Sequence, residues 1–284
     1  MLEIARDENV TTLWLNRPDA LNAMGRDFWA DLPRAVAVIA EDDDTRCVVV
    51  AARGRHFCVG LDLKEMAAPL LVTGSAAGTA GDEASAPGTG RPPSRAGRAA
   101  RLRSTIMRMQ AALSALADCP KPVVAAVHGY CIGGGVDLVS ACDIRLASSD
   151  AVFSIRETRL AMVADLGTLQ RLPKIIGSAH VAEMAFTGMD VDAARAKEIG
   201  LVNDVFDDHE ALLEAARSMA SEIASLSPLA VQGTKAALAA NDGRTVAQGL
   251  EYAAAWNAAM LESEDLTEAV TAFFEKRPPR FTGR

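Results

Sequence analysis

Many familiar chemistries lack their sequence marks in this chain of 284 residues. No apolar run approaches the roughly 18 residues needed to cross a bilayer. The opening MLEIARDENV has Glu3, Asp7 and Glu8 where a secretory signal would be basic and then apolar. The five cysteines (Cys47, Cys58, Cys119, Cys131, Cys142) contain no C-x-x-C pair, and their odd number suits free thiols in a reducing compartment. The four histidines (His56, His128, His180, His209) have no metal-ligand spacing, and His209-Glu210 lacks the second histidine of a zincin. Basic residues are outnumbered: 29 Lys and Arg against 37 Asp and Glu leave a net charge of −8, which argues against an extended nucleic-acid face. Also missing are G-x-S-x-G, a P-loop ending in Gly-Lys-Ser/Thr, and G-x-G-x-x-G, the marks of hydrolase elbows and nucleotide cradles. The expectation is a soluble cytoplasmic protein with no metal, no nucleic acid and no membrane partner.

What is present reads as α/β. Hydrophobic residues make up 50%, enough for a sizeable core. Val10–Leu15 is a strand ending at the turn cluster Asn16-Arg17-Pro18-Asp19, and Phe28–Ala40 has helical spacing, with Pro33 expected in the first turn or at a kink. Arg46–Ala52 and Val123–Val127 are short continuous apolar runs, the pattern of parallel strands buried on both faces. Asp143–Ala147 and Ala151–Ile155 add two more strands. From Thr73 to Arg98, 21 of 26 residues are Ala, Gly, Pro, Ser or Thr, so this stretch is expected to be a flexible inserted loop. Leu102–Ala117 returns to helical spacing. Beyond Ala179 the chain is mostly helical, over Ala211–Ser225, Pro228–Ala240, Thr245–Leu261 and Leu266–Lys276. The expected division is an α/β core over 1–200 and a helical region over 201–284.

The most informative segment is His128–Leu138, HGYCIGGGVDL. Consecutive glycines between a strand and a helix let backbone N–H groups approach an anionic oxygen. With the phosphate motifs missing, an oxyanion hole remains; glycines serving only close packing are the structural alternative. A second glycine loop, Arg53–Leu63 (RGRHFCVGLDL), follows another strand, and strand carboxyl ends are where ligands gather in α/β sheets. Three carboxylates accompany these loops. Asp137 could serve a helix dipole, Glu157 could pair with Arg156 or Arg159, and Asp165 could cap the following helix. Beside an oxyanion hole, the three together resemble acid–base machinery.

Those residues carry a family resemblance. Lys121–Ile176, LNRPDALNAM at 15–24 and HFCVGLDL at 56–63 resemble the enoyl-CoA hydratase/isomerase (crotonase) superfamily. The resemblance implies a spiral of ββα repeats, a C-terminal trimerisation region, a homotrimer or homohexamer, and an acyl-CoA substrate with no separate cofactor. The Asp137, Glu157, Asp165 set is similar to that of the Δ3,5-Δ2,4-dienoyl-CoA isomerases of fatty-acid β-oxidation. The hydratases carry Glu, Glu and Gly at these places, and hydration of a 2-trans-enoyl-CoA is the alternative. The motif implies oxyanion N–H groups at Val59 and Gly134 and substrate contacts at Gly60, Leu61, Asp62, Gly133 and Gly135. Glu157 is expected to be the base at C2, Asp165 the acid at C6, and Asp137 an orienting group. Arg17, Arg53, Arg55 and Lys64 are candidates for holding the CoA phosphates, and the acyl-pocket wall is expected within 66–110.

Overall fold

The computed structural model describes residues 1–70 and 94–284, with only the backbone described over 67–70. Six strands form one sheet in the order β1 (Leu2–Asp7), β2 (Val10–Leu15), β3 (Cys47–Ala52), β4 (Val123–Val127), β6 (Ile144–Ser148) and β9 (Asp204–Phe206). The β1–β2 hairpin is antiparallel and the remaining pairs are parallel. A second sheet joins β5 (Tyr130–Ile132), β7 (Val152–Ser154) and β8 (Val191–Asp192).

The repeat is visible in how successive strands divide between the sheets. β4 enters the large sheet, β5 enters the small one, and α4 (Gly134–Ser140) follows. β6 and β7 repeat the step before α5 (Thr168–Ile176). The loop after β3 makes a fainter version, since Cys58 forms a parallel bridge with Cys131 of β5 before α2 (Leu63–Leu70). This is the spiral of ββα units that the sequence resemblance implies.

β3 shows why its sequence has no polar alternation. Val48, Val50 and Ala52 pack into the larger core with α1 (Arg26–Glu41) and α3 (Arg95–Ala117), while Cys47, Val49 and Ala51 face a second core. That second core is closed by Leu212, Ala216, Ala220 and Ala224 of α8 (His209–Ala224). A strand covered on both faces is apolar throughout.

Two expectations change, one is narrowed, and two strands lie outside them all. The boundary at 200/201 falls inside the core, because β9 completes the large sheet and α8 covers it. Of the two places expected for Pro33, the first turn is excluded: it lies further inside α1, where the Trp29 carbonyl has no helical N–H to accept from. Most of the expected loop at 73–98 lies outside the described residues, and its last part is helix: Ser94 caps α3 by accepting from the Gly97 N–H at 3.1 Å. β1 and β5, with little patterning of their own, appear only as partners of better-marked strands.

Three helices follow the core: α9 (Pro228–Ala240), α10 (Val246–Met260) and α11 (Glu264–Glu275). Lys235 of α9 ties back to Asp143 at 2.7 Å and to the Lys121 carbonyl at 3.0 Å. The buried Asp265 accepts from the Thr282 and Gly283 N–H groups and from Ser227 Oγ, fixing the chain end.

Candidate active site

Two glycine loops meet at the carboxyl ends of β3 and β4. The Cys58 N–H donates to the Tyr130 carbonyl and the Ile132 N–H to the Cys58 carbonyl, both at 2.9 Å, so the 56–62 loop runs beside β5. Gly60 then lies against the start of α4. A Cβ at Gly60 would sit 2.9 Å from the Ile132 carbonyl oxygen and 3.4 Å from the Gly134 nitrogen, and its φ is +91°. Only glycine allows that approach. Asn22 braces the loop from LNRPDALNAM: its amide donates to the Arg53 and His56 carbonyls at 2.9 and 2.8 Å, and its Oδ1 accepts from the Arg17 N–H.

The backbone donors differ from the expectation at one position. The Val59 N–H is committed to the Leu21 carbonyl at 3.3 Å, so Val59 is not a free oxyanion donor. Two residues on, the Met24 N–H donates to the Gly60 carbonyl and the Asp62 N–H to the Met24 carbonyl, at 2.8 and 3.0 Å. In that parallel bridge the flanking groups face Met24, so the N–H of Leu61 itself points the other way. Gly134 opens α4, where a first-turn N–H has no partner within the helix. Leu61 and Gly134 are therefore among the donors the geometry leaves available.

The carboxylates surround this junction. Glu157 follows β7 and opens a short 3-10 turn. Its Oε1 lies 3.0 Å from where a Cβ on Gly133 would be, so the carboxyl sits over the glycines. Its Oε2 is buried and has no hydrogen-bond partner among the described residues. Burial, with the charges of Asp137 and Asp165, pushes Glu157 up to about 7. Neither expected arginine pairs with it: Arg156 binds Asp190, and Arg159 reaches the Thr187 carbonyl.

Asp137 is fully buried in α4, yet it does not serve that helix. Its Oδ1 accepts from the Thr168 N–H at 2.7 Å, the first residue of α5. Burial raises it to about 6, with hydrogen bonding from Thr168 opposing the shift. Asp165 is not the cap of α5, since Gly167 occupies that position without a side-chain bond and Asp137 supplies one. Half-buried in the loop between Glu157 and α5, Asp165 is also raised by burial.

Other expected contacts are structural. Asp62 accepts from the Lys64 and Glu65 N–H groups at 3.0 and 3.2 Å and pairs with Arg17 at 2.8 Å, so its carboxylate stabilises the start of α2. Gly135 serves packing, because a Cβ there would lie 2.8 Å from the Cys58 carbonyl oxygen. Among the candidate phosphate ligands, Arg17 is held by Asp62 and Glu65, and Arg53 by Glu3 and the Trp14 ring. Arg55 and Lys64 are exposed and make no ion pair among the described residues. Most of the acyl-pocket wall expected within 66–110 lies outside the described residues. Among the described residues, no group of three or more His, Cys, Asp or Glu is arranged to hold a metal.

Sequence reading alone missed Leu61 as a donor and placed Gln110 only at the end of the expected acyl-pocket wall. The first was one residue past a glycine already noted, and only the Met24 bridge distinguishes it from Val59. Gln110 comes from a distant helix with no motif around it, and it donates to the Asp165 carbonyl at 2.6 Å.

Paired sheets, joined glycine loops and clustered carboxyls make up this fold and its candidate site, and the chain belongs to the enoyl-CoA hydratase/isomerase family. The model of that family matches residues 5–82 and 94–284. The chain is 45% identical to the peroxisomal Δ(3,5)-Δ(2,4)-dienoyl-CoA isomerase of Arabidopsis thaliana, over 99% of this chain and 96% of that one. It is 42% identical to the human mitochondrial enzyme of the same name, over 95% of this chain and 77% of that one. A solved enoyl-CoA hydratase from Bacillus anthracis superposes with a TM-score of 0.85 at 29% identity, over 100% of this chain and 99% of that one.

Proposed function

We propose that this protein isomerises 3,5-dienoyl-CoA to 2,4-dienoyl-CoA, as the names of the two isomerases it resembles suggest. The observation that carries the reading is a third carboxyl, Asp165, which is half-buried, caps no helix and lies near enough for its charge to raise Glu157. A hydration site needs two carboxyls around one water; a shift of two double bonds needs a base and an acid at separate carbons.

The chemistry follows from proton affinity. A 3,5-dienoyl thioester has an acidic C2 proton, because its loss spreads charge over the thioester oxygen and the conjugated carbons. Glu157 removes that proton, and its C–H electron pair becomes the C2=C3 bond. The C3=C4 pair moves to C4=C5, and the C5=C6 pair takes a proton at C6 from Asp165. The Leu61 and Gly134 N–H groups hold the thioester oxygen as its charge grows, the largest contribution expected in such sites. Asp137 holds the start of α5 and, by its charge, raises Glu157. No cofactor beyond the coenzyme A of the substrate is needed, because the thioester itself stabilises the dienolate.

Arg55 and Lys64 are the proposed contacts to the CoA phosphates. The protein is proposed to assemble as a trimer or a pair of trimers through α9–α11. A cytoplasmic location is proposed on the five free, buried thiols, although the named relatives are peroxisomal or mitochondrial. Among the described residues, no helix is long and apolar enough to cross a membrane.

The test is ultraviolet absorbance with 3,5-octadienoyl-CoA and, separately, crotonyl-CoA. The expected result is growth of the conjugated 2,4-dienoyl band from the first, with little loss of the second. Asp165→Asn is expected to lower the rate of isomerisation by about 100-fold or more. Rapid loss of the crotonyl chromophore without any dienoyl product would make the protein a hydratase.

A further inference from the structure

The loop that carries Asp165 is tied to α3 at two successive carbonyls. Gln110 Nε2 donates to the Asp165 carbonyl at 2.6 Å. Arg171 Nη1 donates to the Leu166 carbonyl at 3.4 Å, and its Nη2 reaches Ser114 Oγ at 3.0 Å. Gln110 and Ser114 are four residues apart on α3, so both face the loop from one side of the helix. The same guanidinium lies over Gly167, where a Cβ would meet Arg171 Nη1 at 1.8 Å. On its far side the loop is held by Asp137, through the Thr168 N–H. Glu157, by contrast, stands on the turn after β7 and receives none of these bonds.

We propose that Gln110 is a positioning residue for proton delivery at C6, acting through the backbone of Asp165, with the Arg171–Ser114 tie as its second point of hold. The assignment rests on the reading of Glu157 as the C2 base and Asp165 as the C6 acid. It follows from the asymmetry of the support: the acid sits on a loop clamped to α3, while the base does not depend on α3. A misplaced acid slows only the second proton transfer, and small displacements are costly where a reacting group must meet one carbon.

The two transfers can be read separately. Deuterium uptake at C2 of recovered 3,5-octadienoyl-CoA in D2O reports removal and return of the C2 proton; formation of the 2,4-dienoyl product also requires delivery at C6. Gln110→Met keeps the length of the side chain and loses the donor. It is expected to lower kcat for isomerisation about tenfold, with KM within about twofold and C2 exchange retained. In an Asp165→Asn background the same change should have little further effect, since it acts through the residue already removed. Should Gln110→Met fold poorly, Gln110→Asn, one methylene short of the carbonyl, is expected to give the same split in weaker form. Equal losses in exchange and isomerisation would make Gln110 a general packing residue, and no loss in either would show that the loop holds without it; both overturn the proposal. If the wild-type protein exchanges C2 but forms no 2,4-dienoyl product, the isomerase reading fails first and takes the Gln110 assignment with it.

Discussion

At the scale of single residues, the site keeps carboxyls where water would suit them better. Asp137 is raised to about 6 and Glu157 to about 7, in both cases chiefly by burial. A carboxyl whose pKa is higher folded than unfolded is no burden below its unfolded pKa, where both states hold the proton. It destabilises the fold progressively as pH rises through the folded pKa. Asp137→Asn keeps an oxygen that can accept from the Thr168 N–H but removes the charge. It is therefore expected to stabilise the protein at pH 8 by an amount on the order of 2–3 kcal/mol at most, and not at pH 4, as measured by urea unfolding at the two pH values. The same titration bears on the proposed base. In that role Glu157 is ionised, so kcat/KM for isomerisation should rise with pH through about 7. Glu157→Gln should abolish that rise along with most of the activity, and a retained rise would assign the titration to another group.

At the scale of elements, the sequence was most legible where both faces of a segment are buried or a cap is present. The apolar runs at β3 and β4 and the pattern of α9 matched their observed bounds closely, because each segment carries its own burial signal. β5 is three residues long and makes sense only beside β7 and the Cys58 bridge, information held in the fold and not in its own spacing. The carboxyls proposed for proton transfer were legible as residues but not in their partners. Asp137 sits in the first turn of α4, which suggested service to that helix, whereas its hydrogen bond crosses to α5. Val59 and Leu61 flank the same glycine, and only the Met24 bridge shows which N–H is turned outward. This geometry makes Gly60 a sensitive joint. Gly60→Ala places a Cβ 2.9 Å from the Ile132 carbonyl oxygen at a φ of +91°, so the two loops must part. Separating the Leu61 and Gly134 donors should lower kcat about 100-fold, the range seen when one oxyanion donor is lost, with a smaller change in KM. A folded Gly60→Ala protein with near-normal kcat would remove these two N–H groups from the reaction.

At the scale of the whole molecule, folding and the proposed assembly use different surfaces. The core is closed by α8, and the last three helices are attached by Lys235, Asp265 and the pairing of Arg46 with the Phe281 carbonyl. Those attachments leave large apolar side chains outside: Val246 is 81% exposed, Phe273 78% and Phe274 76%. Neighbouring Phe273 and Phe274 meet edge to face, with centroids 5.7 Å apart, and form a compact apolar pair at the surface. Burying one such ring stabilises an interface by about 1.5–3 kcal/mol, so the pair is a reasonable centre for the proposed trimer. Replacing Phe273 by Glu changes a residue that contributes nothing to the core of one chain. Sedimentation equilibrium is expected to show a multiple of three protomers for the wild-type protein and a lower mass for Phe273→Glu, with the far-ultraviolet circular dichroism unchanged. The groups proposed for proton transfer and oxyanion binding all lie between Leu61 and Asp165 of one chain, so the dissociated variant should still form 2,4-dienoyl product. An unchanged mass for Phe273→Glu would move the interface to another face of α9–α11, and a single-protomer mass for the wild type would remove the trimer altogether.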